Sequence, residues 1–183
     1  MTPPERSAAT PDLEAFYEGF WRARSEGTPP RDERDRWAAV RGLALRALGG
    51  AAAAPAPGRP RILDLGCGRG WLTRLLAETV PGAEVLGVDP LAASVEAARR
   101  EHPGLSFRQG TGADLLAEGG AGAFDLVVSS EVVEHVPHPE QPAFLRQAFE
   151  LLRPGGRLVL TTPRGELWER WRAGGGRPQP VEA

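Results

Sequence analysis

The chain has 183 residues, 41% hydrophobic and 25% charged, with a formal net charge of −2. That length and balance suit one globular domain with a single core, and without an excess of positive charge a nucleic-acid partner is disfavoured. No window reads as a membrane span or a signal peptide, and Cys67, the single cysteine, has no mate for an internal disulfide, so cytoplasmic residence is the default expectation.

In chain order, residues 1–10 read as a loose tail. Residues 12–25 form a short helical pattern with Leu13, Phe16, Tyr17, Phe20 and Trp21 on one side. After the Gly-Thr-Pro-Pro turn, a second helix is predicted over 32–48, carrying Trp37, Val40, Leu43, Ala44 and Leu48 on one face. The Ala-, Gly- and Pro-rich stretch 49–60 is a connector. Two units follow: a tail, cap helices and linker over 1–58, and a core over 59–183.

The core alternates strand and helix. Strands are expected at Arg61–Leu65, Glu84–Asp89, 105–109, Phe124–Ser130 and 157–162, with helices at Trp71–Thr79, 91–100 and 140–152. Pro90 reads as the first residue of the helix over 91–100. Such alternation implies an α/β fold, a parallel sheet with right-handed crossovers and helices on both faces. Ligands of these sheets sit beyond the carboxyl ends of the strands, where Asp64, Gly66, Asp89 and Glu131 fall.

The turn after the first strand is Asp64-Leu65-Gly66-Cys67-Gly68-Arg69-Gly70, whose glycines let a ligand approach without Cβ atoms in the way. A nicotinamide fingerprint needs its third glycine at position 71, which is Trp71. Asp89, about twenty residues beyond the glycines and at the end of the second strand, can accept both hydroxyls of a ribose. Cys67 reads as a small apolar residue of the turn and not as a nucleophile.

Together with FDLVVSSEVVEHV and LLRPGGRLVLTTP, this Asp-x-Gly-x-Gly-x-Gly turn resembles the class I S-adenosylmethionine-dependent methyltransferases over residues 59–163. The resemblance implies a Rossmann-like, doubly wound, mostly parallel sheet and S-adenosylmethionine as cofactor. It places Asp64, Gly66, Cys67, Gly68, Gly70, Asp89, Pro90, Thr111, Gly112 and Ser130 around that cofactor. Arg36 is a candidate for the cofactor's carboxylate, by a loose match to an N-terminal arginine of the ubiquinone-pathway enzymes. Thr111 stands where the family usually has an acidic residue for the adenine, and Asp114 is the candidate to compensate.

The run Ser130-Glu131-Val132-Val133-Glu134-His135 has an E-x-x-E-H spacing. It resembles the ubiquinone-pathway catechol O-methyltransferases and the small-RNA terminal 2′-O-methyltransferases, in which this motif binds a divalent ion. Glu131, Glu134 and His135 are therefore candidate ligands, and two carboxylates with one imidazole suit Mg²⁺ or Mn²⁺ better than zinc. Without metal, His135 is a candidate general base with Glu134 beside it, or the motif only closes hydrogen bonds around the strand end. His138, between two prolines, reads as part of an exposed loop.

The resemblance implies an enzyme that transfers a methyl group to a small-molecule acceptor, with a hydroxyl oxygen as the leading choice. Alternatives are a cofactor-binding partner subunit without turnover, a fragment, and an RNA terminal 2′-O-methyltransferase. The family continues after its fifth strand through a further helix and an antiparallel hairpin, which are not legible here. Residues 165–183 can form one short helix with Leu167, Trp168 and Trp171, and a strand edge left open there would favour a homodimer.

Overall fold

The computed structural model describes residues 31–49 and 58–162. The expected tail, the helix over 12–25 and the C-terminal helix with Trp168 and Trp171 lie outside the described residues, as does most of the connector. The elements are α1 (Arg31–Gly49), β1 (Arg61–Leu65), α2 (Trp71–Thr79), β2 (Glu84–Asp89), α3 (Ala92–Glu101), β3 (Ser106–Gln109), α4 (Gly112–Ala117), β4 (Phe124–Ser130), α5 (Gln141–Glu150) and β5 (Leu152–Thr161). Two 3₁₀ turns, Val133–His135 and His138–Glu140, join β4 to α5.

The five strands lie in the order β3-β2-β1-β4-β5, and every pairing is parallel. Apolar runs buried on both faces produce this arrangement, because side chains alternate between the faces. Ile62, Leu126, Val128 and Val159 pack on one face with Val40 and Ala44 of α1 and Leu72 and Leu76 of α2. Leu63, Leu65, Val88 and Val127 pack on the other with Leu115 of α4, Ala148 of α5 and Leu151. Ile62, Leu63, Leu126 and Val127 are fully buried. The strand order reverses between β1 and β4, the point at which parallel sheets of this kind open a ligand crevice.

Three expectations about the elements are corrected. Pro90 is not in the helix, which starts at Ala92 with Leu91 as its N-cap, because Asp89 Oδ1 accepts from the Leu91 amide (3.0 Å) and closes a turn first. The helix over 140–152 is shorter, Gln141–Glu150, and His138 lies in the exposed 3₁₀ turn ahead of it. Strand β5 begins at Leu152, not at 157, because the Arg153–Gly156 segment is an irregularity inside the ladder. Phe124 pairs with Leu152, and the next matched pair is Leu126 with Arg157.

Candidate cofactor and acceptor site

The carboxyl ends of β1 and β2 build one half of the site. The Gly66 and Cys67 amides both donate to the Val88 carbonyl (2.8 and 3.0 Å), which pins the turn after β1 against the end of β2. Gly66, Gly68 and Gly70 have φ of 85°, 51° and 81°, the left-handed region that glycine enters without strain. Close approach is a second requirement at Gly66, where a Cβ would stand 2.4 Å from Val132 Cγ2. Gly70 is the N-cap of α2 and makes no side-chain cap, no acidic residue stands in the first turn, and the Thr73 backbone is hydrogen-bonded to Asp64.

Two buried carboxylates flank this turn. Asp64 is 1% exposed and accepts a hydrogen bond from Thr73 Oγ1 (2.6 Å). Burial lifts its pKa to about 7, opposed by the Thr73 hydroxyl and reinforced by the neighbouring charge of Asp89. Asp89 accepts from the Gly68 amide through Oδ2 (2.8 Å) and from Leu91 through Oδ1, and burial holds its carboxyl above the ordinary range. Neither forms an ion pair among the described residues. The Cys67 thiol is buried and pushed strongly up by that burial and by both aspartates, so it stays protonated and serves as packing.

The adenine-side expectations divide. Thr111 and Gly112 stand at the start of α4, next to the end of β3. Asp114 is engaged with Thr111 through one carboxylate oxygen. Its Oδ2 accepts from both the amide and the hydroxyl of Thr111 (2.7 Å each), and its own amide donates to Thr111 Oγ1 (3.3 Å). This reciprocal capping box uses both side chains to start α4. Pro90 is exposed, and its carbonyl accepts from Gln109 Nε2 (3.2 Å).

The ends of β4 and β5 form the other half. Ser130 Oγ and Thr161 Oγ1 share a hydrogen bond (2.8 Å). Glu131 follows in the left-handed region, φ 58°, the one non-glycine residue there among those described. Such a conformation costs about 1–3 kcal/mol and persists where the surroundings impose it. Here Arg36 of α1 reaches Glu131 Oε2 with Nη1 at 2.7 Å, and the Glu131 amide donates to the Thr161 carbonyl (2.9 Å). Gln141 Nε2 donates to the carbonyls of Val133 and Val136 (3.1 Å each), which fixes the 3₁₀ turn carrying Glu134 and His135.

Glu134 and His135 are both largely buried. Their nearest approach, His135 Nε2 to Glu134 Oε1, is 3.9 Å, and Glu134 Oε2 has no hydrogen-bond partner. Burial raises the Glu134 carboxyl to about 7, with Glu131 adding repulsion and the Thr162 hydroxyl and Arg36 opposing it. Burial lowers His135 to about 4, so its imidazole is neutral at physiological pH. The expected three-ligand metal cluster is not assembled: among the described residues no three His, Cys, Asp or Glu side chains come together to hold an ion. Locally, Glu131 is committed to Arg36 of α1.

Asp64, the glycine turn, Asp89, Ser130 and Glu131 thus lie at or next to the carboxyl ends of the adjacent strands β2, β1 and β4. Sequence reasoning missed Thr73, Val132 and Thr162. Thr73 had a usable signal, a hydroxyl in the first turn of the helix that follows the acidic strand. The contact of Val132 with Gly66 had none, because it depends on the path of the chain after Glu131.

Comparison with known proteins agrees with this architecture. A family model described as a methyltransferase domain matches residues 34–179. The mouse mitochondrial ubiquinone biosynthesis O-methyltransferase is 41% identical over 116 residues, covering 58% of this chain and 30% of that protein. Trans-aconitate 2-methyltransferase of Deinococcus radiodurans is 39% identical over 110 residues, covering 58% of this chain and 40% of its own length. The chain therefore spans less than half the length of these relatives. Among solved structures, the S-adenosylmethionine-bound amino pentose methyltransferase CalS10 of Micromonospora echinaspora superposes with a TM-score of 0.58 at 27% identity, over 81% of this chain and 56% of that one. The magnesium protoporphyrin IX methyltransferase of Synechocystis, with bound SAH, shares the fold with a TM-score of 0.61 at 23% identity, over 91% and 76%. With the family model matched over most of this chain and the five-stranded parallel core in place, the chain belongs to the methyltransferase-domain family of the class I, S-adenosylmethionine-dependent type.

Proposed function

We propose that the protein transfers a methyl group from S-adenosylmethionine to a hydroxyl oxygen of a small-molecule acceptor. The observation that carries the cofactor part is the pair of buried carboxylates, Asp64 and Asp89, flanking a glycine turn with no cation paired to either among the described residues. Buried acids without a counter-charge are costly, and a cationic ligand with ribose hydroxyls would relieve that cost. The residues present fit the group. When bound, S-adenosylmethionine supplies a methyl group on a positively charged sulfur, ready for in-line displacement by a nucleophile.

This chain's own residues do the rest. Asp64 faces the amino-acid end and Asp89 takes the ribose, while Gly66, Gly68 and Gly70 allow the approach of both. Arg36, now on Glu131, is the candidate for the ligand's carboxylate, and Ser130 lines the same wall. Glu134 takes the proton of the acceptor hydroxyl. A carboxyl poised at about 7 with an unpartnered, buried oxygen is matched to that task, whereas an imidazole held near 4 is a weaker base that stays neutral beside it. The small-molecule acceptors named in the two curated relatives, and the O-methyl transfer named in one, support the acceptor class.

The test is methyl transfer from labelled S-adenosylmethionine to a panel of catechols, phenols, carboxylic acids and amines, with and without a chelator. Transfer to a hydroxyl that survives chelation supports the reading. Transfer confined to amines, or lost with the chelator, contradicts it. Cofactor binding without any transfer favours the partner-subunit reading.

A further inference from the structure

Behind the glycine turn lies a buried imidazole that the proposed reaction does not use. His102 follows α3 and is 4% exposed. Its ring stands edge-on to Trp71 with centroids 5.0 Å apart, and tilted against Phe107 at 6.2 Å. Gly70 presses on the same group: a Cβ there would stand 2.5 Å from Phe107 Cζ and 3.0 Å from His102 Cδ2. The imidazole is hydrogen-bonded to the backbone of Arg69, and its Nε2 is buried with no partner.

The charged groups around the ring come from three elements. Arg69 belongs to the turn itself, and Arg74 and Glu78 project from α2. Glu101 precedes His102 on α3 and is engaged by the Arg69 guanidinium. From β3 the Phe107 ring packs against it, and the Phe107 carbonyl is taken by Arg99 Nη2 (2.8 Å).

We propose that His102 is a positioning residue for the cofactor turn: its neutral ring braces Arg69 and Gly70 from behind, and protonation at Nε2 loosens that brace and weakens cofactor binding. The proposal rests on the reading that this turn holds the cofactor. A phenyl ring would fill the same space without a buried, unsatisfied nitrogen, so packing alone does not account for a histidine here. Protonation would add a buried donor with no acceptor and place a third positive charge beside Arg69 and Arg74. Burial, with Arg74 next, already holds the imidazole below its ordinary value. The linkage follows in sign: a group lowered in the folded state favours the neutral form, so what depends on it is intact above the ordinary histidine value and is lost as pH falls below it.

The test is calorimetric titration of S-adenosylhomocysteine into the full chain from about pH 8 to about pH 5.5, for wild type, His102→Gln and His102→Phe. NMR of the cofactor-free protein runs beside it, where three histidines give an assignable set of ring signals. Glutamine does not titrate and can still bond the Arg69 backbone. At the upper pH it should bind within about threefold of wild type and phenylalanine about tenfold more weakly, and on acidification wild type should lose about threefold more affinity than His102→Gln. Asp64 titrates in all three proteins, so its contribution cancels in the comparison. In the cofactor-free wild type, the amides of Arg69 and Gly70 should shift with the same midpoint as the His102 ring. Parallel pH profiles in wild type and His102→Gln, or loop amides that ignore the ring, would overturn the proposal. Failure of wild type to bind at the upper pH would instead overturn the cofactor reading, and the amide shifts would still decide whether the ring braces the turn.

Discussion

The two halves of the crevice are built to opposite specifications. At the ends of β1 and β2 each carboxylate has hydrogen bonds from the protein, and glycines carry all the left-handed backbone. At the ends of β4 and β5 a glutamate carries left-handed backbone, an ion pair crosses from α1, and Glu134 keeps a buried oxygen without a partner. On the proposed reading, the first half is pre-organised for the cofactor and the second holds back a polar group for the acceptor.

The contrast can be broken most forcefully at Glu134. Glu134→Gln should cut methyl transfer by about 10²–10⁴-fold while leaving cofactor affinity within about threefold. In wild type the transfer rate should rise with pH and level off above about 7, as a base with the Glu134 value requires. Steady-state rates and a pH profile check both, and a His135→Ala variant with the same loss whose profile no longer rises through that value would move the proton transfer to the imidazole.

Asp89→Ala should come next, weakening S-adenosylhomocysteine by about ten- to a hundredfold, because it removes the ribose acceptor and frees the Gly68 and Leu91 amides together. Calorimetry reads this directly. The effect of Asp64→Asn is smaller and shows best as a pH dependence. The raised carboxyl is largely protonated below about 7, so affinity for an ammonium-bearing ligand should climb as pH rises through that value. The asparagine variant should lose about tenfold at the upper end and show a flatter profile. A wild-type affinity independent of pH, apart from the His102 range, would contradict it.

The smallest effect is expected at Glu131. Replacing it with glycine removes the left-handed strain and also the half-exposed pair with Arg36, two contributions of opposite sign and each about 1 kcal/mol. Thermal or denaturant unfolding should therefore move by less than about 1 kcal/mol. A core deletion such as Leu63→Ala, at a fully buried site, sets the contrast at about 2–5 kcal/mol.

Much of this was legible in the sequence, for reasons that differ by residue. Strands β1, β2 and β4 were readable because continuous apolar runs such as Phe124–Ser130 are what a sheet buried on both faces demands. The glycine turn was readable because left-handed backbone needs glycine. The start of β5 was not, since Pro154, Gly155 and Gly156 carry a turn signature while the chain there continues an irregular ladder. The capping role of Asp114 was not legible because a first-turn carboxylate looks the same whether it meets a ligand or caps its own helix. The E-x-x-E-H spacing suggested three convergent ligands, yet spacing says nothing about the left-handed turn at Glu131 or about a guanidinium arriving from α1. His102 was invisible because its meaning lies in what surrounds it: two aromatic rings, the Arg69 backbone and a nitrogen without a partner.

The measurement that bears most directly on the account is calorimetric titration of S-adenosylhomocysteine into wild type and Asp89→Ala at about pH 8. Saturable binding to wild type that weakens at least about tenfold in the variant is the predicted result. Equal binding by both proteins, or none by wild type, would contradict the assignment of the acidic, glycine-lined half of the crevice to the cofactor.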